Sequence, residues 1–271
     1  MRSDANFGSM KDKYNTDINI IGSIKDLNVI ERALKAHFTD DDSINSLIKD
    51  RNEFVYNTNK TTSRIASGIE SAFVNFKNDK HSDLYKIIFT NNYSDELLKY
   101  AIFLQFAVNN SLFLLITIEV FIKTLMSGRI SIKTDDIYSY LKNALETGLI
   151  KDVKWSESTI KIIPTKYLNF MGKLGFVDEK TKEFKYISLS TACFYLFLLI
   201  SNIYSESTNV LQSKLLPLCF MSQESIISKT KYLGQKEYIN MSYNGDMLNI
   251  DFKDNIKEVF DALSKWTPIK I

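Results

Sequence analysis

Glycine and proline are scarce in this chain, with nine and three among 271 residues. That excludes collagen-like and low-complexity chains and disfavours a loop-rich all-β design; helices are the natural alternative. The two cysteines, Cys193 and Cys219, both lie in apolar runs. They read as buried free thiols rather than a disulfide framework, which fits a reducing compartment. Histidine is nearly absent: His37 and His81 fall in different segments. No Cys/His metal spacing and no glycine-rich phosphate loop is present. Acidic pairs such as Asp135-Asp136 stand at helix starts, where capping accounts for them. The chain is therefore read as a non-enzyme without a cofactor. Neither sign of charge dominates, since 34 Lys and Arg offset 32 Asp and Glu. No global field draws in a polyanion, and any nucleic-acid contact must come from a local patch. The start is polar and lacks the apolar core of a signal peptide. Tyr186 to Tyr204 carries no charge, but its first residues alternate as a strand and its remainder holds Ser190, Thr191, Ser201 and Asn202. It is read as a buried core helix rather than a membrane span.

What is abundant is apolar side chains, 45% of the chain, with 13% aromatic. Such a chain offsets its ordering entropy and folds. The expected fold is mainly α. Residues 1–19 read as a flexible arm and 20–108 as a helical bundle. Within that bundle Leu27, Ile30, Leu34 and Phe38 mark one helix. Asp40 to Asp42 cap a second over about 44–53, a reading preferred to metal ligation. Ile65, Ile69, Ala72, Phe73 and Phe76 mark a third helix, whose other face carries Lys60 and Arg64, and Ser94-Asp95-Glu96 opens a fourth.

From Leu112 the order of elements changes. An apolar helix to Met126 stops at Ser127-Gly128. Residues 129–132 alternate as a short strand, and Thr134-Asp135-Asp136 caps a helix that Gly148 ends. Ser156 opens a helix running to Leu174, stopped by Gly175. Phe176-Val177 and residues 184–187 read as strands around a charged hairpin tip. Helix, strand, helix, helix, strand, strand is the order of a winged helix-turn-helix, assigned to 109–190. In the 156–174 helix, Ile160, Ile163, Tyr167, Met171 and Leu174 form an inner stripe bordered by Phe170. The opposite arc holds Ser158, Lys161, Thr165, Lys166, Asn169 and Lys173, which donate to phosphates or base edges. Lys180, Lys182 and Lys185 put charge on the wing. Eight lysines face five acids between Lys151 and Lys185. Pro164 is expected to kink the helix near Ile160. The link from Gly148 to Trp155 is longer than the usual turn. Residues 191–271 form a helical and hairpin unit and a candidate second winged helix. It comprises a helix over 223–233, a hairpin over 237–251 with a two-residue Asn244-Gly245 type I′ tip, and a closing helix over 255–263.

Three short motifs resemble the BrxA family, the small component of BREX bacteriophage-resistance systems. They are Lys13-Tyr14-Asn15-Thr16, Asn59-Lys60-Thr61-Thr62-Ser63-Arg64-Ile65, and Trp155-Ser156-Glu157-Ser158-Thr159-Ile160 followed by Gly175-Phe176-Val177. The resemblance spans about residues 13–190. It implies a cytoplasmic bacterial helical protein that binds double-stranded DNA beside a methyltransferase, an ATPase and a phosphatase-like component. Pro164 departs from the unbroken helix expected there. Two readings follow. In one, Lys161, Thr165, Lys166 and Asn169 enter the major groove while the wing lysines, Lys60 and Arg64 grip phosphates. In the other, the same faces dock BREX proteins and DNA contact is incidental. RNA binding is disfavoured because no aromatic stacking platform is legible in the sequence. Oligomeric state is not readable.

Overall fold

Short polar side chains start several of the helices. In these the oxygen of a residue just outside the helix accepts one of the backbone N–H groups that the first turn leaves unpaired. Asn78 accepts from His81 N at 3.0 Å, Asn110 from Phe113 N at 2.8 Å and Ser156 from Thr159 N at 3.2 Å. Ser190 accepts from Cys193 N and Ser222 from Ser225 N, both at 3.3 Å. The computed structural model describes residues 14–39, 59–205, 207–252 and 256–267. The cap cluster at Asp40 to Asp42 and the helix expected over 44–53 lie outside the described residues, as does residue 13.

The helices are α1 (Ile18–Ile21), α2 (Asn28–Thr39), α3 (Asn59–Phe73), α4 (Asp79–Thr90), α5 (Asp95–Asn109), α6 (Ser111–Met126), α7 (Thr134–Glu146), α8 (Glu157–Leu174), α9 (Thr191–Tyr204), α10 (Gln223–Gln235) and α11 (Ile256–Trp266). One hairpin, β1 (Ile239–Tyr243) and β2 (Leu248–Phe252), is the sole extended strand pair among the described residues. The architecture is mainly helical, as expected. The described residues fall into two compact units: those within 14–33, 59–75 and 105–186 contribute to the first, and those within 34–39, 76–104 and 187–267 to the second. This differs from the expected division into 20–108, 109–190 and 191–271. The N-terminal helices form no unit of their own: α1 and α3 belong with α6 to α8, and α4 belongs with α9 to α11.

The core of the first unit is aromatic. Phe113 lies 4.6 Å from Phe106, 5.4 Å from Tyr167 and 5.7 Å from Phe170, centroid to centroid. Such tilted and edge-on pairs contribute beyond the area they bury. Helix α6 carries a π-helical stretch, Thr117–Ile122. There Thr117 Oγ1 donates to Phe113 O at 2.7 Å and lies 3.0 Å from the buried Tyr167 hydroxyl. Residues 14–19 are not a free arm. Asn110 Nδ2 donates to Asn15 Oδ1 at 2.5 Å, and Ile18 is fully buried. Residues 130–132 pair with 182–184 through Ile132 N to Lys182 O at 3.2 Å and Phe184 N to Ile130 O at 2.9 Å. Lys185 N to Phe176 O and Asp178 N to Glu183 O close the neighbouring turn. The expected strands here are isolated antiparallel bridges, Ser131 with Glu183 and Val177 with Phe184.

In the second unit, α9 is buried along ten consecutive residues, Ala192 to Ser201, as expected of a core helix. Tyr85 OH donates to Ala101 O and Tyr100 OH to Leu218 O, which satisfies two buried phenols. β1 and β2 pair antiparallel, Ile239 with Phe252 through Tyr243 with Leu248. The loop is therefore the four residues 244–247 rather than the two-residue tip expected. The cause is local: Asn244 Oδ1 accepts from both Asp246 N and Met247 N, an Asx turn that takes two more residues out of the ladder. Asn209 bridges to Asn249 on β2. Among the described residues no single helix is long and apolar enough to cross a membrane, although the bent pair α5 and α6 together passes by length and composition.

Candidate nucleic-acid interface

Helix α8 has the boundaries read from its sequence. Ser156 caps it, and Gly175 ends it at φ +87°, a left-handed conformation that glycine adopts without penalty. It runs as one helical element through the buried Pro164. The long link before it is structured. Gly148 and Asp152 turn the chain at positive φ, and Ile150 is buried with its N–H donated to Ala144 O. The first residue of α8 is tied to α7: Tyr138 OH donates to Glu157 Oε1, and Lys142 Nζ lies 3.4 Å from Glu157 Oε2. Tyr138's hydrogen bond, followed by Lys142 and Lys161, holds the Glu157 carboxyl below its usual range.

One buried stripe was expected on α8, and the structure has two. Besides Ile160, Ile163, Tyr167, Met171 and Leu174, the residues Pro164, Leu168 and Gly172 are buried at successive i+4 positions. The second stripe exists because other parts of the unit cover that side. The Gly22 end of α1 lies so close that an added Cβ would stand 2.2 Å from Lys166 O, and Glu179 of the hairpin occupies the space above Gly172. The expected polar arc is accordingly only partly open. Ser158, Lys161 and Thr165 are exposed, while Lys166, Asn169 and Lys173 are half-buried. Lys173 Nζ donates to Ile24 O across 149 positions of sequence. Asn169 Oδ1 accepts from Lys182 Nζ at 3.4 Å.

The hairpin tip is a closed turn. Asp178 Oδ1 accepts from Lys180 N and Thr181 N, which lowers its carboxyl's proton affinity. Lys182 stands at φ +59°. Lys180 and Lys185 are exposed and Lys182 is half-buried. Burial, followed by the charges of Lys166 and Lys182, pushes the Lys173 ammonium below its usual range, against the pull of Glu179. Three ammonium groups from α8 and the hairpin thus share one neighbourhood. Lys60 and Arg64 are exposed on α3 of the same unit. Three apolar residues escaped the sequence reading: Ile130, Ile162 and Tyr186 are exposed by 79%, 43% and 94%. Ile162 was legible, since it lies about 200° around the helix from Ile160. Ile130 and Tyr186 lie within segments read as strands, 129–132 and 184–187, whose open face the sequence did not reveal.

Among the described residues no three His, Cys, Asp or Glu side chains are grouped to hold a metal ion. Compared with known proteins, the chain matches no family model and no curated sequence.

Proposed function

We propose that residues 109–186 form a winged helix-turn-helix that binds double-stranded DNA, and that the chain is a non-enzymatic, cytoplasmic accessory protein of a BREX-type phage defence. The observation that carries the reading is the row of cationic and polar side chains on α8 and the hairpin, with Lys161, Thr165, Lys180 and Lys185 exposed and Lys166, Lys173 and Lys182 half-buried, and with Lys182 Nζ of the hairpin 3.4 Å from Asn169 Oδ1 of α8. Clustered ammonium groups repel one another, and a bound phosphate relieves that repulsion. The pairing of 130–132 onto 182–184 and the succession α6, α7, α8 and hairpin support the winged-helix assignment. The three BrxA-like motifs support the BREX assignment. Only the first two turns of α8 are free to approach base edges. Phosphate contact therefore outweighs sequence reading, with the lysines of the hairpin, Lys60 and Arg64 as further phosphate ligands. Gel shifts with a duplex test this. Lys161→Glu/Lys166→Glu is expected to weaken binding at least tenfold, and log K is expected to fall by roughly 3 to 4 per decade of salt for about four phosphates. Undiminished affinity in the double variant would sink the assignment.

The exposure of Ile130 and Tyr186 favours a second reading, in which the same unit docks another BREX component (methyltransferase, ATPase or phosphatase-like protein). Co-purification from the intact operon separates the two. A complex that survives nuclease and high salt supports docking, and one that dissolves supports DNA.

A further inference from the structure

The second unit carries a lysine–tyrosine surface that the sequence did not reveal. Three lysines stand over three tyrosine rings: Lys236 over Tyr232 at 5.8 Å, Lys265 over Tyr238 at 5.6 Å and Lys231 over Tyr243 at 5.4 Å. The first two pairs belong together. Lys236 N donates to Tyr232 O and Tyr238 N to Leu233 O, both at 3.3 Å, so the chain folds back and returns Tyr238, with Lys265 over its ring, to the end of α10 that carries Tyr232. Tyr238 is fixed by Trp266, whose ring lies 4.4 Å away at 66°. Trp266 in turn packs on Tyr195 at 5.5 Å. Glu237, at φ +60°, turns the chain from α10 into β1 and carries Tyr238 to that place. Tyr232 itself is 46% exposed. Its ring projects from the last turns of α10, away from the buried Ile226, Thr230 and Leu233.

An exposed ring beside a second, rigidly backed ring, each flanked by an ammonium, matches one ligand chemistry closely. Unpaired bases stack on aromatic faces, and the phosphates between them take the cations. A duplex hides its base faces and has no use for such rings. The charge of the surrounding surface is mixed, with Glu237 at the same turn, so stacking rather than bulk attraction must provide most of the affinity.

We infer that the C-terminal unit binds single-stranded nucleic acid on this surface, with Tyr232 stacking a base and Lys236 and Lys265 holding phosphates. The inference is independent of duplex binding by the first unit. The test is fluorescence anisotropy of the full chain with labelled oligo(dT) and oligo(rU) of about 12 nucleotides, beside a duplex. Wild type is expected to bind at least one single strand, and the preferred one identifies DNA or RNA as the source. Tyr232→Ala should weaken that binding about tenfold, and Tyr232→Phe, which keeps the ring, should stay within about twofold. Lys236→Glu/Lys265→Glu should weaken it and flatten its salt dependence. All three variants should leave duplex affinity unchanged, whereas Lys161→Glu/Lys166→Glu should leave single-strand affinity unchanged. Absence of single-strand binding in wild type, or equal binding by wild type and Tyr232→Ala, overturns the proposal. Neither outcome touches the first unit's assignment.

Discussion

Several side chains hold this fold at single points, and each can be tested alone. Gly22 is required by space rather than by backbone conformation: its φ is −67°, which any residue adopts, but a Cβ would meet Lys166 O at 2.2 Å and Lys166 Cβ at 2.7 Å. Backbone cannot swing aside as a side chain does. Gly22→Ala should therefore cost about 1–3 kcal/mol, read as a lower urea midpoint, and an unchanged midpoint would mean that α1 does not pack there. Asn209 does comparable work in the second unit. Only 2% exposed, it accepts from Leu211 N and Leu248 N through Oδ1 and donates to Asp246 O through Nδ2. Asn209→Ala leaves those backbone groups unpaired, at a cost of about 1–3 kcal/mol, again measurable by urea unfolding. The motifs that resemble BrxA also act at this scale. Asn15 bonds Asn110, Ile65 is buried at 6% and Ser156 caps α8. Those residues maintain the fold, so the resemblance they carry speaks first to architecture.

At the scale of elements, α8 depends on how the hairpin is seated. Glu179 fills the space above Gly172, where an added Cβ would lie 2.9 Å from Glu179 Cγ and 3.3 Å from its Cα. Gly172→Ala should lift the hairpin, separate Lys182 from Asn169 and weaken duplex binding several-fold. A gel shift indistinguishable from wild type would show that hairpin placement does not matter to DNA. The ends of α8 were legible because both are set locally, by a serine cap and a left-handed glycine. The start of α10 is likewise set by a serine cap, Ser222. Helix α4 was legible but unread: Asn78 caps it and Leu84, Tyr85, Ile88 and Phe89 line its buried face. Four-residue α1 has too little periodicity to be seen. The second buried stripe of α8 could not be read either, because its cover comes from Gly22 and Glu179, partners that helical periodicity does not name. The hairpin's register was missed because Asn-Gly signals a tight turn, whereas the Asn244 side chain sets a wider one.

At the scale of the molecule, the two units share part of their order of elements, with two 3-10 turns in the second where the first has α7. In the first, a core helix (α6) leads to a bridging segment at Ser131, then α7, α8 and a hairpin whose last limb takes the bridge. In the second, α9 leads to a bridge at Asn209, then two 3-10 turns, α10 and the β1–β2 hairpin, whose last strand takes the bridge. The interleaved chain path is not something the order of elements along the sequence displays. The second unit also concentrates buried weak acids. Burial pushes the Cys193 thiol up to about 12 and the Cys219 thiol to about 11, from an ordinary 9.0, and the Tyr195 and Tyr204 phenols up to about 12. At pH 8 both thiols should ignore a disulfide reagent until denaturant is added; rapid labelling of the native chain would contradict their burial. The sign of the stability effect follows from proton counting. Between 9 and about 11–12 the unfolded chain has released its thiol protons while the folded chain still holds them. Folding stability is therefore complete below pH 9 and declines as pH rises through that window, by up to about 1.4 kcal/mol per pH unit for each thiol. The tyrosines add to the decline above pH 10. Urea midpoints at pH 7, 9 and 10.5 should fall in that order. Cys193→Ala/Cys219→Ala, whatever its stability at pH 7, should fall less steeply between pH 9 and 10.5 than wild type, and parallel curves would mean that the thiols do not carry the effect.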